Sequence, residues 1–261
     1  SGVSLGRVAY ETFPLTAEND FLPDLDAIPE ETARRAKFIY INYPNNPTGA
    51  VATKAFYEKL VAWAKTYEVG VVSDLAYGAL GYQGYENPSF LSTPGAKDVG
   101  IEFYTFSKTF NMAGWRLAFA AGNDQMIEAL NLIQDHLFVG IFPALQEAGI
   151  AALLDPKSEE AVAQLNATYD SRRDAFVQAA AKIGWQAFPS RGSFYAWMPV
   201  PEGYTSESFA DLLLEKAHVA VAPGKGFGPA GNAYVRIGLL VEPERLVEAV
   251  NRLANLQLFD N

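Results

Sequence analysis

Phe38-Ile39-Tyr40-Ile41-Asn42-Tyr43-Pro44-Asn45-Asn46-Pro47-Thr48-Gly49 has two halves of opposite character. The first four residues are uninterrupted apolar side chains, the pattern of a buried strand. The remainder packs prolines, asparagines and a glycine together, which stops the strand in a turn. Just beyond, Thr53 can cap a helix whose apolar positions Phe56, Leu60, Val61, Ala64 and Tyr67 keep the 3.6-residue period. Gly70 restarts the chain as a second strand, Val71-Val72-Ser73-Asp74. A third, Ile101 to Phe106, ends at Ser107-Lys108, and a fourth, Leu117 to Ala120, ends at Gly122-Asn123. Helical stretches follow from Asp124 to Asp135 and from Ala144 to Leu154, and upstream Val8-Ala9-Tyr10 reads as a strand led into by a helix. Such alternation predicts an α/β fold, a mostly parallel sheet with helices on both faces.

After Asp155-Pro156 the order of elements changes. A long helix over Ser158 to Ile183 reads as a connector. Then come a strand at Phe194-Tyr195-Ala196-Trp197, a helix over Glu207 to Ala217, and strands at Val219-Ala220-Val221 and Tyr234-Val235-Arg236-Ile237. A helix over Pro243 to Leu256 closes the series. This predicts a large domain over residues 1–155 and a smaller α+β domain over 156–261.

Composition removes whole classes of function. Hydrophobic residues at 49% and charged residues at 19% exclude a disordered tail. A formal net charge of −10 argues against nucleic acid and anionic membrane as partners. With no cysteine, a disulfide framework, a thiolate metal site and a cysteine nucleophile are all excluded. His136 and His218 are too few and too far apart for a histidine-rich metal site. No apolar run approaches a membrane span, and the opening residues do not resemble a signal peptide, so a cytoplasmic location is expected.

In an open parallel sheet, ligands gather outside the carboxyl ends of the strands. Asn46, Asp74 with Tyr77, and Lys108 with Arg116 all fall at such ends. Alone, each has a plain reading: a turn, a helix cap, a solvated cation. Together they are what pyridoxal phosphate chemistry requires. That cofactor needs a lysine amine for a Schiff base and a carboxylate against its pyridine nitrogen, so that the ring acts as an electron sink. It also needs donors near the ring hydroxyl and a cation with hydroxyls at the phosphate, a task that suits the arginine fork.

Asn45-Asn46-Pro47-Thr48-Gly49, Asp74-Leu75-Ala76-Tyr77, Ser107-Lys108-Thr109 with Gly114-Trp115-Arg116, and Tyr234-Val235-Arg236-Ile237-Gly238 resemble, in order and spacing, the class I/II aminotransferases of pyridoxal phosphate fold type I. The resemblance implies Lys108 as Schiff-base lysine and proton shuttle, and Asp74 as partner of the pyridinium nitrogen. It places Asn46 and Tyr77 at the ring hydroxyl, and Arg116 with Thr105 and Ser107 at the phosphate. Arg236, with Asn46 beside it, would hold the substrate α-carboxylate. A cis bond before Pro47 and a homodimer with sites at the subunit interface are implied as well. The partners would be an amino acid and a 2-oxo acid.

Tyr43 to Thr53, Asp135-His136-Leu137-Phe138-Val139, Gly192 to Trp197 and Pro201 to Glu207 are similar to the methionine-salvage members of that family. These convert 2-oxo-4-methylthiobutanoate to methionine with glutamine among their donors. Relatives with similar segments use aromatic, branched or diaminopimelate substrates. Phe138, Phe142, Tyr195 and Trp197 are candidates for an apolar side-chain pocket, or else ordinary core aromatics. Gly224-Lys225-Gly226-Phe227-Gly228 lacks the full pattern of a phosphate-binding loop and is expected to place Arg236. Family members carry further cofactor contacts upstream of the match, so the chain, which opens on Ser1, is expected to be the C-terminal two-thirds of such an enzyme. A fold-type-I lyase or synthase, a catalytically incomplete fragment and a ligand-binding regulator are the alternatives.

Overall fold

Strands β1 (Phe38–Asn42) and β2 (Gly70–Asp74) run parallel in a register that sets Asn42 beside Asp74. The structure, a computed structural model, describes residues 5–259. β2 pairs in parallel with β3 (Gly100–Thr105), and β3 pairs antiparallel with β4 (Ala118–Gly122), giving a sheet of order β1-β2-β3-β4. The reversal at β4 has a local cause. Its connection holds only a four-residue helix, Phe106–Thr109, and a 3-10 turn, Ala113–Trp115, with no crossover helix to carry the chain back.

One face of this sheet is covered as the periodicity requires. Helix α1 (Glu30–Arg35) leads into β1, and helix α2 (Lys54–Tyr67) follows it. Thr53 Oγ1 accepts from the Phe56 amide at 3.1 Å, the expected N-cap. Phe56, Tyr57, Leu60, Val61 and Ala64 bury themselves against Ile39, Ile41 and Val71. The expectation that Phe38 to Ile41 is buried on both faces is corrected. Alternation sends Phe38 and Tyr40 to the other side, where they are 53% and 68% exposed. There Tyr40, Val72, Asp74, Phe103, Thr105 and Ala118 line a cavity of about 370 Å³.

On the α2 side, Glu102 of β3 is buried and accepts hydrogen bonds from Ser73 Oγ at 2.9 Å, from the Phe90 amide at 2.8 Å and from Ser89 Oγ. Alanine here would leave those donors stranded, an expected loss of about 3 kcal/mol. Glutamine keeps an acceptor and should lose less. Urea denaturation of the two variants checks this.

After α3 (Ala96–Val99) and α4 (Phe106–Thr109), the chain forms α5 (Asp124–Leu137) and α6 (Pro143–Leu154). The long helix α7 (Ser158–Lys182) then serves two cores. Its first half carries Leu165 and Tyr169 onto Tyr77, Leu80 and Tyr82, and Asn166 Nδ2 donates to the Ala79 carbonyl at 2.8 Å. Its second half puts Phe176, Ala179 and Ala180 with Trp185, Met198, Phe209, Leu213 and Val250. The second sheet is antiparallel, in the order β5 (Tyr195–Pro199), β7 (Tyr234–Gly238), β6 (Ala222–Pro223). Helices α8 (Ser206–Leu212), extended by a π-helical turn over Leu213–Ala217, and α9 (Pro243–Ala254) complete this part.

Two strand expectations are corrected. Val8 to Tyr10 is exposed and irregular, with no neighbouring strand to pair with among the described residues; the helix expected before it falls largely on residues 1–4, outside those described. The strand expected at Val219 to Val221 is instead Ala222–Pro223, because Val219 and Val221 turn their side chains into the second core.

Candidate active site

The carboxyl edge of the first sheet is organised by Asn42, a residue the sequence reading passed over. Its Nδ2 donates to the Asp74 carbonyl at 2.9 Å, and its Oδ1 accepts from the Asn46 amide at 3.0 Å. One side chain thus ties the end of β2 to the turn after β1. Within that turn, Asn45 Oδ1 accepts from both the amide and hydroxyl of Thr48. The peptide bond before Pro47 is cis, as the resemblance implied, and so is the bond before Pro44. Gly49, at φ 71°, lies so close to Ser190 that a Cβ would meet its Oγ at 2.1 Å. Any side chain there would therefore push the turn off the segment that leads to β5.

This turn aims Asn46 at a residue 190 positions later. Arg236 Nη1 donates to Asn46 Oδ1 at 2.8 Å. The guanidinium carbon lies 4.2 Å from the Tyr195 ring centroid and 4.7 Å from that of Phe227. Tyr195 in turn packs on Tyr77, their centroids 6.1 Å apart. Lys108 Nζ lies 5.3 Å from the Phe194 centroid and 6.0 Å from that of Tyr77. Asn46, Tyr77, Lys108 and Arg236 are therefore one cluster, held together by aromatic rings.

Asp74 Oδ1 accepts from the Ala76 amide at 3.1 Å. Crowding by surrounding protein raises its pKa above the ordinary carboxylate value, and the amide bond only partly offsets this. Burial pushes the Tyr77 hydroxyl well above the free tyrosine value. Tyr195 adds to that rise, Arg236 opposes it, and Asp74 reinforces it. Tyr77 therefore stays protonated, a hydrogen-bond donor, throughout the physiological range.

Thr105 caps α4 by accepting from the Ser107 amide at 3.2 Å, and its hydroxyl lies 3.0 Å from Ser107 Oγ. The Leu117 carbonyl accepts from Thr105 Oγ1 at 3.3 Å and from the Phe106 amide at 3.2 Å, which brings the residue after Arg116 to the same place. Arg116 itself has φ 53° and is exposed, its Nη1 donating to the Ala113 carbonyl at 3.1 Å. Two hydroxyls thus meet at one corner of the sheet edge, and Arg116 directly precedes the Leu117 whose carbonyl accepts from one of them.

Of the four aromatics considered for an apolar pocket, Tyr195 lays its ring on the predicted site residues Tyr77 and Arg236, and Trp197 pairs with Arg236 across the strands. Phe138 and Phe142 are exposed on the α5–α6 turn, and Trp197 is buried in stacking contact with Tyr234. Phe194 and Phe227 were missed as neighbours of Lys108 and Arg236. Their signal was weak, since an isolated phenylalanine reads as core.

An amine laid over aromatic faces, a crowded aspartate, a protonated phenol and two adjacent hydroxyls form an incomplete set of polar groups. What completes it is a group with a ring nitrogen, a reactive carbonyl and a phosphate, and on this test the residues present fit pyridoxal phosphate. The chain belongs to the class I and II aminotransferases, matching that family over residues 1–253, and members of this family are pyridoxal phosphate enzymes. It is 56% identical over 259 residues to L-glutamine–4-(methylsulfanyl)-2-oxobutanoate aminotransferase of Bacillus subtilis, covering 99% of this chain and 65% of that protein. It is 51% identical over 240 residues to LL-diaminopimelate aminotransferase of Moorella thermoacetica, covering 92% of this chain and 61% of that one. Among solved structures, substrate-bound BacF of Bacillus subtilis superposes with a TM-score of 0.93 at 45% identity, over 99% of this chain and 65% of the other. The chain thus spans just under two thirds of the length of these relatives.

Proposed function

We propose that this chain carries the machinery of amino-group transfer between an amino acid and a 2-oxo acid, with methionine and 4-(methylsulfanyl)-2-oxobutanoate as the substrate pair and glutamine as a donor. The observation that carries this reading is the Arg236–Asn46 hydrogen bond, which sets a guanidinium within the cluster that holds Lys108 and Tyr77. An arginine fork in that place binds the substrate α-carboxylate and presents its Cα to Lys108. Pyridoxal phosphate, when bound, supplies a carbonyl that condenses with amines and a protonated ring that withdraws electrons from Cα. Lys108 Nζ would take the proton from Cα and pass it to the cofactor's carbonyl-derived carbon, acting as base and then acid. Asp74 would keep the ring nitrogen protonated, Tyr77 and Asn46 would donate to the ring oxygen, and Arg116 with Thr105 and Ser107 would hold the phosphate.

The methionine pair is supported by the 56% identity to the Bacillus relative, against 51% to the diaminopimelate enzyme. The same reading divides the chain into a cofactor-binding part, residues 1–155, and a smaller part, 156–261; the two separate sheets support the division. It also includes a homodimer, supported by the exposed apolar side chains Leu132, Ile133, Leu137 and Phe138, and a cytoplasmic location. No helix among the described residues is long and apolar enough to cross a membrane.

The test is the half-reaction. The chain loaded with pyridoxal phosphate and given methionine alone should yield pyridoxamine phosphate and 4-(methylsulfanyl)-2-oxobutanoate in equal amounts. Products of elimination, with the cofactor unchanged, would mean a lyase. A donor panel with LL-diaminopimelate beside methionine and glutamine decides the substrate.

A further inference from the structure

The loop Gly224 to Gly228 is built around one ring. Its 3-10 turn, Gly224–Phe227, is pinned to the start of α8: the Lys225 amide donates to Ser206 Oγ at 3.2 Å, and Lys225 Nζ pairs with Glu207 at 2.7 Å. Gly224 and Gly231 approach so closely that a Cβ on either would lie 2.1 Å from the other's carbonyl oxygen, and Gly228 sits at φ 128°. This folding returns Phe227 to β7, where its ring is T-shaped to that of Trp197 and lies 4.7 Å from the Arg236 guanidinium carbon. Phe227 is nevertheless 42% exposed, so burial alone does not account for its position.

We propose that Phe227 is a positioning residue for carboxylate recognition: together with Tyr195, whose ring centroid is 4.2 Å from the same guanidinium carbon, it holds the Arg236 guanidinium so that the fork meets an incoming carboxylate in one fixed plane. Asn46 takes one hydrogen of Nη1, and a planar guanidinium keeps its remaining donors in that same plane. Two aromatic rings attract the cation and keep water from part of its surface, which strengthens a bidentate contact at its edge. The inference rests on the proposed role of Arg236 in substrate binding.

The test uses the whole 261-residue chain with isotope-labelled arginine and follows the Arg236 side-chain signals by nuclear magnetic resonance, without cofactor, during titration with 4-(methylsulfanyl)-2-oxobutanoate. In the parent chain Arg236 should show ring-current displacement and a further shift on adding the acid. Phe227→Leu should lose much of the displacement and bind the acid about 5-fold more weakly, whereas Phe227→Trp should retain both. Pentafluorophenylalanine at position 227, equal in shape but opposite in ring polarity, should behave like leucine, and it serves if the leucine variant melts early. With cofactor present, the leucine variant should raise KM and leave kcat nearly unchanged. Parent-like Arg236 signals and affinity in the leucine or fluorinated protein would overturn the proposal, as would a parent chain whose Arg236 ignores the acid. If the clamp responds as expected but no transamination occurs, the reaction assignment fails and the clamp stands.

Discussion

Lys108→Ala is expected to abolish both half-reactions, with a loss of at least about 10⁴-fold, because in the proposed reaction one amine both anchors the cofactor and moves the Cα proton. Its surroundings explain why no neighbour can substitute. Nζ lies over the rings of Phe194 and Tyr77, and Tyr77 is held protonated by burial, so it cannot serve as a base. The nearby Arg236 is permanently charged and cannot accept a proton either. Borohydride treatment provides a readout independent of turnover. In the parent chain it should fix pyridoxal phosphate covalently on the peptide containing Lys108, and in the alanine variant that peptide should remain unmodified. Normal turnover by the alanine variant would sink the assignment.

Asp74→Asn should lower the rate by about 10²–10³-fold, the cost of removing one oriented charge from the reacting centre. A second expectation carries the opposite sign. Crowding raises the folded-state pKa of Asp74, so the carboxylate is less favoured in the folded chain than in the unfolded one. The stability associated with its neutral form is complete below the unfolded value of about 3.9 and is lost as pH rises through the raised folded value. At neutral pH the cofactor-free chain therefore bears an unfavourable charge. Asparagine removes that charge and can still accept from the Ala76 amide. The variant should melt at the same temperature as the parent or slightly above it, while binding pyridoxal phosphate more weakly. In the parent, cofactor affinity should fall on acidification, beginning at a higher pH than an ordinary carboxylate would give. Melting curves with and without cofactor, set beside absorbance titrations from pH 5 to 8, separate the two effects.

What was legible in the sequence was what has a local cause. Thr53 announced the start of α2, the 3.6-residue period announced its buried face, and the prolines after Asn42 announced the end of β1. Lys108, Asp74, Tyr77 and Asn46 were legible because strand ends gather at one edge, and Arg236 only through the family resemblance; its hydrogen bond to Asn46 joins it to that edge. The misses share a physical origin in distant partners. Whether Phe38 and Tyr40 are covered depends on what packs across the sheet, which an apolar run does not encode. Nothing near Val219 signalled that its side chain would enter the second core while the pairing moved on to Ala222. Asn42 looked like the first residue of a turn, and its role appears only once β2 lies alongside. Phe227 was hidden within a glycine-rich loop whose purpose is defined by Arg236, nine residues further along the chain.

The Asn42 bridge has a consequence for how the chain reaches its native alignment. Side chains along a strand alternate faces, so sliding β1 against β2 by a single residue would turn Asn42 away from Asp74 and release Asn46 from Arg236. A misaligned sheet could still bury Ile39 or Val71 somewhere, but it could not assemble the anchoring amine, the aspartate and the guanidinium together. Capture of the proposed cofactor would therefore act as a check on strand alignment: it would stabilise the correctly threaded chain and contribute nothing to its slipped competitors.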